Sequence, residues 1–118
     1  MADYGLFIGW GQVTRGREKK ALDEFNDGIQ YYAGLQEKGD IESFEPVILE
    51  QHGGDLLGFV LIRGEREKLA RLRVDREFER RTIRAGLVVN SLGVVGALVG
   101  QGVGEGLVTY QQQLDELT

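Results

Sequence analysis

The stretch Leu56-Leu57-Gly58-Phe59-Val60-Leu61-Ile62 decides the fold. It is short, apolar apart from one glycine, and dense in strand formers at its C-terminal half. Successive side chains of a strand point to opposite faces. Leu56, Val60 and Ile62 then share one face, and Leu57, Phe59 and Leu61 the other. Both faces are apolar, so both need cover. A chain of 118 residues has helices enough for one face only.

Upstream, His52-Gly53-Gly54-Asp55 is a turn signal. The residues before it, Ile41–Gln51, predict a strand antiparallel to the first stretch. That strand carries Glu42, Glu45, Glu50 and the single proline, Pro46. Proline cannot donate to a ladder, so this strand belongs at a sheet edge. Tyr4–Trp10 predicts another strand, with Tyr4, Leu6, Ile8 and Trp10 on one face and Gly5, Phe7 and Gly9 on the other. Glycines inside a strand signal close approach of another backbone or of a ligand. Arg17–Lys38 predicts a long helix, because Leu22, Phe25, Ile29, Tyr32 and Gln36 recur at helical spacing. Gly39 suits its C-cap. Gly28 and Gly34 each cost that helix about 1 kcal/mol relative to alanine.

Downstream, Arg63–Ala85 is helical in pattern but broken. Leu69 and Leu72 form a short stripe, Val74 interrupts it, and Asp75 is an N-cap for a second piece with Phe78 and Thr82 inward. The segment holds nine basic and five acidic residues, so its outer face is positive. Leu87–Val99 predicts a fourth strand. Gly100, Gly102, Gly104 and Gly106 predict a flexible corner. Leu107, Tyr110, Gln111, Leu114 and Leu117 then predict a short amphipathic helix.

The order is β-α-β-β-α-β with a helix appended, an α+β chain with the ferredoxin-like arrangement and a four-stranded antiparallel sheet. One domain over residues 1–118 is expected. The first and third strands are central. The helices cover one face, so the other exposes a large apolar patch. The economical cover is a second copy of the chain, sheet against sheet, as a two-fold homodimer. Higher oligomers are left open.

Composition sets further bounds. The net charge is −5 and the pI near 4.9, which argues against general nucleic-acid binding. There are no cysteines, so neither disulfides nor thiolate chemistry enter. Residues before the first apolar run lack a basic region, and Leu87–Val99 is short and interrupted by Asn90 and Ser91. A soluble, cytoplasmic chain without membrane or nucleic-acid partners is expected. Gly100–Gly106 fails the dinucleotide pattern, since Glu105 stands where the third glycine belongs, and no Gly-Lys-Ser/Thr occurs. A single histidine excludes a multi-histidine metal site within one chain. Neither cofactor nor metal is expected.

At this point the chain resembles the dimeric α/β-barrel proteins, which include antibiotic-biosynthesis-monooxygenase-like and YCII-like groups. Asp75-Arg76-Glu77-Phe78 followed by Leu87-Val88-Val89 is similar to the short second helix and fourth strand of that superfamily. Gly9-Trp10-Gly11, Glu45-Pro46, His52-Gly53-Gly54-Asp55, Gly58-Phe59 and Arg63-Gly64 resemble a group of short bacterial hypothetical proteins with no assigned activity. The resemblance implies sheets paired into a barrel. The superfamily spans cofactor-independent oxygenases, haem-degrading enzymes, decarboxylases and non-catalytic dimers, so fold alone does not select a chemistry.

His52, Trp10, Tyr32 and Arg84 stand out as site candidates. His52 is a general base in a monooxygenase- or isomerase-like reading, with Asp55 beside it to orient the ring; as a plain turn residue it would bond its own loop. Trp10 and Tyr32, with Tyr4 and Phe78, line a pocket between sheet and helices in one reading and belong to ordinary core in another. The resemblance implies a small apolar or aromatic ligand there. Phe25 and Phe59 are expected in the core. Arg84 and Arg63 flank strand ends, where they would pair with an anionic substrate or with neighbouring carboxylates.

An RNA-recognition reading shares the same element order. Leu6-Phe7-Ile8-Gly9 and Gly58-Phe59-Val60 are similar to its two strand motifs. Against it, Leu57 stands where a second stacking aromatic belongs and Asp55 where a basic residue belongs.

Overall fold

Alternating apolar side chains in Tyr4–Trp10 and Gly58–Gly64 pair into the middle of one antiparallel sheet. The computed structural model describes residues 2–118. Its elements are β1 (Tyr4–Trp10), α1 (Glu18–Lys38), β2 (Ser43–Ile48), β3 (Gly58–Gly64), α2 (Arg66–Arg73), α3 (Arg76–Gly86), β4 (Gly93–Leu98) and α4 (Gln101–Leu117). The strand order is β2-β3-β1-β4. This is the ferredoxin-like fold, with its second helix broken into α2 and α3 and α4 appended. Pro46 lies on the edge strand β2, where a missing N–H donor is tolerated.

Register sorts the side chains. Leu6 pairs with Ile62, Ile8 with Val60 and Trp10 with Gly58, while Ile8 also faces Val94. These residues share the face that the helices cover. Leu6, Ile8, Val60 and Ile62 are buried there with Leu35 of α1, Ile41, Leu69 and Leu72 of α2, and Phe78 of α3. The break between α2 and α3 is set by chemistry: Asp75 Oδ2 accepts from the N–H groups of Glu77 and Phe78 at 3.0 and 3.2 Å. That satisfies two helix donors and turns Phe78 into the core.

The opposite face carries Phe7, Phe59, Leu61 and Val95. The rings of Phe7 and Phe59 stack with centroids 4.9 Å apart. Of the two glycines inside β1, Gly5 admits the close backbone of β3, as its sequence context suggests, whereas Gly9 makes room for the chain's own side chains. A Cβ at Gly9 would meet the Phe7 ring at 2.6 Å and Leu56 Cδ1 at 3.1 Å. A Cβ at Gly5 would meet Ile62 O at 2.5 Å and Leu61 Cδ1 at 3.4 Å. The missing side chain at Gly9 lets the chain's own Phe7 lie flat on the sheet.

Two boundaries differ from the sequence expectation. The fourth strand covers only Gly93–Leu98. Residues 87–92 unwind from α3 through Leu87 N–H to Arg84 O and Val88 N–H to Ala85 O. They then cross to the loop after β1, where Asn90 N–H bonds Gln12 O and Gly11 N–H bonds Asn90 O. Ser91, at φ 58°, ends any continuous extended run. The glycine run is not a flexible corner: only Gly100 has positive φ, and α4 begins at Gln101. Gly102 packs against Asp3 O and Gly106 against Leu98, contacts too close for side chains.

Candidate functional site

A cavity of about 360 Å³ lies between the helix-covered sheet face, α1 and the 87–92 crossing. Its floor is Ile8, Trp10 and Val60. Phe25, Ile29 and Tyr32 of α1 form one wall, and Val88, Val89 and Leu92 the other. Volumes of this order hold small organic ligands.

The cavity exists because α1 carries glycine on its inward stripe. Gly28 lies between Phe25 and Tyr32 and lines the space. A Cβ there would find its nearest neighbour, Tyr32 Cε2, at 3.9 Å. Where a larger side chain would reach down to the sheet, α1 leaves room. Leu22, Ile48 and Val13 also line the cavity and are 61%, 64% and 37% exposed, so they mark its mouth.

Aromatic geometry shapes the interior. The Trp10 indole lies over Gly58, whose Cβ would come within 2.7 Å of Trp10 Cζ2. Phe25 meets that indole edge-on, centroids 6.1 Å apart. Tyr32 sits 5.8 Å from Phe44 and 5.7 Å from Tyr31. Burial pushes the Tyr32 phenol up to about 12, opposed by the Arg81 charge, so it stays a neutral hydroxyl at ordinary pH.

The polar share of the lining is small. Glu24, with its side chain 12% exposed, is the carboxylate set into the wall. Arg84 Nε donates to its Oε1 at 2.6 Å, so the wall carries no unpaired charge at this point. Glu18 stands exposed at the rim. The site can hold a neutral apolar or aromatic body, with hydrogen-bonding partners only at its margins.

The structure brings Trp10 and Tyr32 together in this lining. Arg84 stands behind it, bonded to Glu24. His52 is outside it, exposed on the β2–β3 connection. Gly54 N–H donates to His52 Nδ1 at 3.1 Å, and Nε2 lies 2.9 Å from Leu56 O. Nδ1 therefore accepts and Nε2 carries the proton; both nitrogens serve the turn. Tyr4 is also elsewhere, under the Arg66 guanidinium at 4.2 Å, and Phe78 is core. Phe25 faces the cavity instead of the closed core, and Phe59 lies on the opposite sheet face. Arg63 pairs with Glu45 at 3.3 Å. No cluster of three or more metal-ligating side chains occurs among the described residues. No helix among them is long and apolar enough to cross a membrane.

Sequence reading missed Glu24, Gly28 and the Val88–Leu92 wall. Gly28 carried a usable signal, since it interrupts an otherwise bulky inward stripe. The wall carried none, because Leu87–Val99 has the pattern of a continuous strand.

No protein-family model and no curated protein matches the sequence. Solved structures do. A dimeric ferredoxin-like protein of unknown function from Jannaschia sp. CCS1 is 12% identical, with TM-score 0.61, over 82% of this chain and 98% of that one. A dimeric protein of unknown function and ferredoxin-like fold from Bacteroides fragilis NCTC 9343 is 11% identical, with TM-score 0.58, over 81% and 96%. SnoaB, a cofactor-independent oxygenase from Streptomyces nogalater, is 14% identical, with TM-score 0.54, over 85% and 96%. At such identities the likeness is one of fold, and the fold is ferredoxin-like.

Proposed function

We propose that this chain is a homodimeric binding protein whose cavity takes a small, neutral, apolar or aromatic molecule. The observation that carries the reading is the cavity itself: apolar but for Glu24 in the wall and Glu18 at the rim, floored by Trp10, and kept open by Gly28. Closing it around an apolar ligand would remove Leu22, Ile48 and Val13 from water. Glu24 is paired with Arg84, so the one carboxylate set into the wall is not free to recognise an ion, and Glu18 lies out at the rim. The bare sheet face with Phe7, Phe59, Leu61 and Val95 supports pairing through the sheet, and the two dimeric structures of like fold support it further.

An oxygenase-like reaction in the same cavity has the fold of SnoaB in its favour, but of the two carboxylates in the lining Glu24 is held by Arg84 and Glu18 stands out at the rim. His52 is held by its own turn. Binding is therefore the better supported function.

Trp10 is the single tryptophan and reports directly on the floor of the cavity. Titration with N-phenyl-1-naphthylamine, a neutral apolar fluorophore, is expected to quench Trp10 emission saturably at micromolar probe. Unchanged Trp10 emission while the probe binds elsewhere would overturn the reading.

A further inference from the structure

α4 leaves the body of the fold. The radius of gyration is 16.0 Å, against about 13–14 Å for a compact chain of this length. The helix meets its own chain near its start, through Gly102 at Asp3 and Gly106 at Leu98. From Leu107 onward every residue is exposed.

Along this arm Val103, Leu107, Tyr110, Leu114 and Leu117 are between 40% and 84% exposed. They recur at alternating intervals of four and three residues. That interval is the seam of a helix meeting a helix, narrower than the stripe of a helix lying on a sheet. The positions flanking the seam are Gly104, Gly106, Gln111, Gln113 and Thr118, none of them charged. The charges of α4 are Glu105, Asp115 and Glu116, all turned away from the seam by the helical period. Two identical copies therefore meet there without opposing like charges, whereas a charged partner would find no complement beside the seam.

We propose that α4 is a self-association arm, pairing with α4 of a second copy along Val103, Leu107, Tyr110, Leu114 and Leu117. A helix of this length spans about 25 Å and two of them alone are marginal in water. The inference rests on the homodimer proposed above, whose paired bodies would hold two arms at high effective concentration. This contact is separate from the cavity and from the bare sheet face.

The absence of cysteine makes the test clean. Tyr110 is at the middle of the seam and faces its own copy whether the two helices run parallel or antiparallel in blunt register. Gln112 lies on the far side of the helix. Under mild oxidation, Tyr110→Cys is expected to form disulfide-linked dimers several-fold faster than Gln112→Cys. Adding Leu107→Glu and Leu114→Glu to Tyr110→Cys should abolish that excess with circular dichroism of the fold unchanged. Equal rates, or an excess that survives the two glutamates, would overturn the proposal. So would a Tyr110→Cys thiol that resists alkylation yet forms no disulfide dimer, because α4 would then lie on a different surface of the copy or on another protein.

Discussion

Glu24 on α1 and Arg84 on α3 are joined at 2.6 Å across the wall of the cavity, so one ion pair couples the two helices and neutralises the carboxylate set into the wall. The carboxylate is the more buried partner, 12% exposed against 52% for Arg84. Arg84→Met should lower unfolding stability by about 1 kcal/mol, mostly by leaving Glu24 unpaired. Arg84→Met with Glu24→Gln should cost less than the sum of the singles in urea denaturation. Additive losses would mean that the pair carries no coupling.

Gly28 is predicted to trade stability for space. Its backbone is helical and a Cβ there clashes with nothing. Gly28→Ala should stabilise the protein by about 0.5–1 kcal/mol. Gly28→Leu should fill the cavity and weaken naphthylamine binding roughly tenfold or more, since tenfold is about 1.4 kcal/mol and burial of a displaced ring is worth at least that. A Gly28→Leu protein with undiminished probe affinity would place the ligand elsewhere.

Much of this was legible in the sequence because local chemistry and tertiary structure agree. β1 runs from Tyr4 to Trp10, α1 ends before Gly39 at φ 83°, Asp75 caps α3, and Pro46 sits at an edge. Trp10 and Tyr32 stood among four aromatics that the sequence left open between pocket and core, and of these only they line the cavity. The Leu87–Leu92 crossing was not, since its β-branched run is satisfied by backbone bonds to Gly11, Gln12 and Thr14, residues distant in sequence. Nor was the early start of α4, because glycine disfavours a helix locally and only the contacts of Gly102 and Gly106 reveal why it is tolerated. His52 has the composition of a base, and its hydrogen bonds to its own turn are invisible without coordinates.

Tyr31 and Tyr32 predict an alkaline limit. Burial pushes both phenols from 10.0 up to about 12, aided at Tyr31 by the Asp75 and Glu77 charges. The folded state thus keeps these protons after the unfolded state has lost them. The stabilisation is fully present below pH 10 and is lost as pH climbs from about 10 toward 12. Tyr32→Phe should flatten that decline, as measured by denaturation midpoints over the same range. An identical decline in Tyr32→Phe would assign the alkaline loss to other groups.

Phe59 tests the bare sheet face. Its ring stacks on Phe7 outside the buried cluster, so Phe59→Glu should leave the fold intact while placing two carboxylates against each other in a sheet-to-sheet dimer. Sedimentation at micromolar concentration should then give a smaller assembly than wild type. Equal masses would remove the sheet face from the dimer.

The most direct test of the central claim is magnetic: intermolecular nuclear Overhauser contacts between the bound neutral naphthylamine and the protein. The ring protons of Trp10, Phe25 and Tyr32 should all contact the probe, together with methyls of Val88 or Leu92. Contacts confined to Phe7, Phe59 or Val95, or none at Trp10, would contradict it.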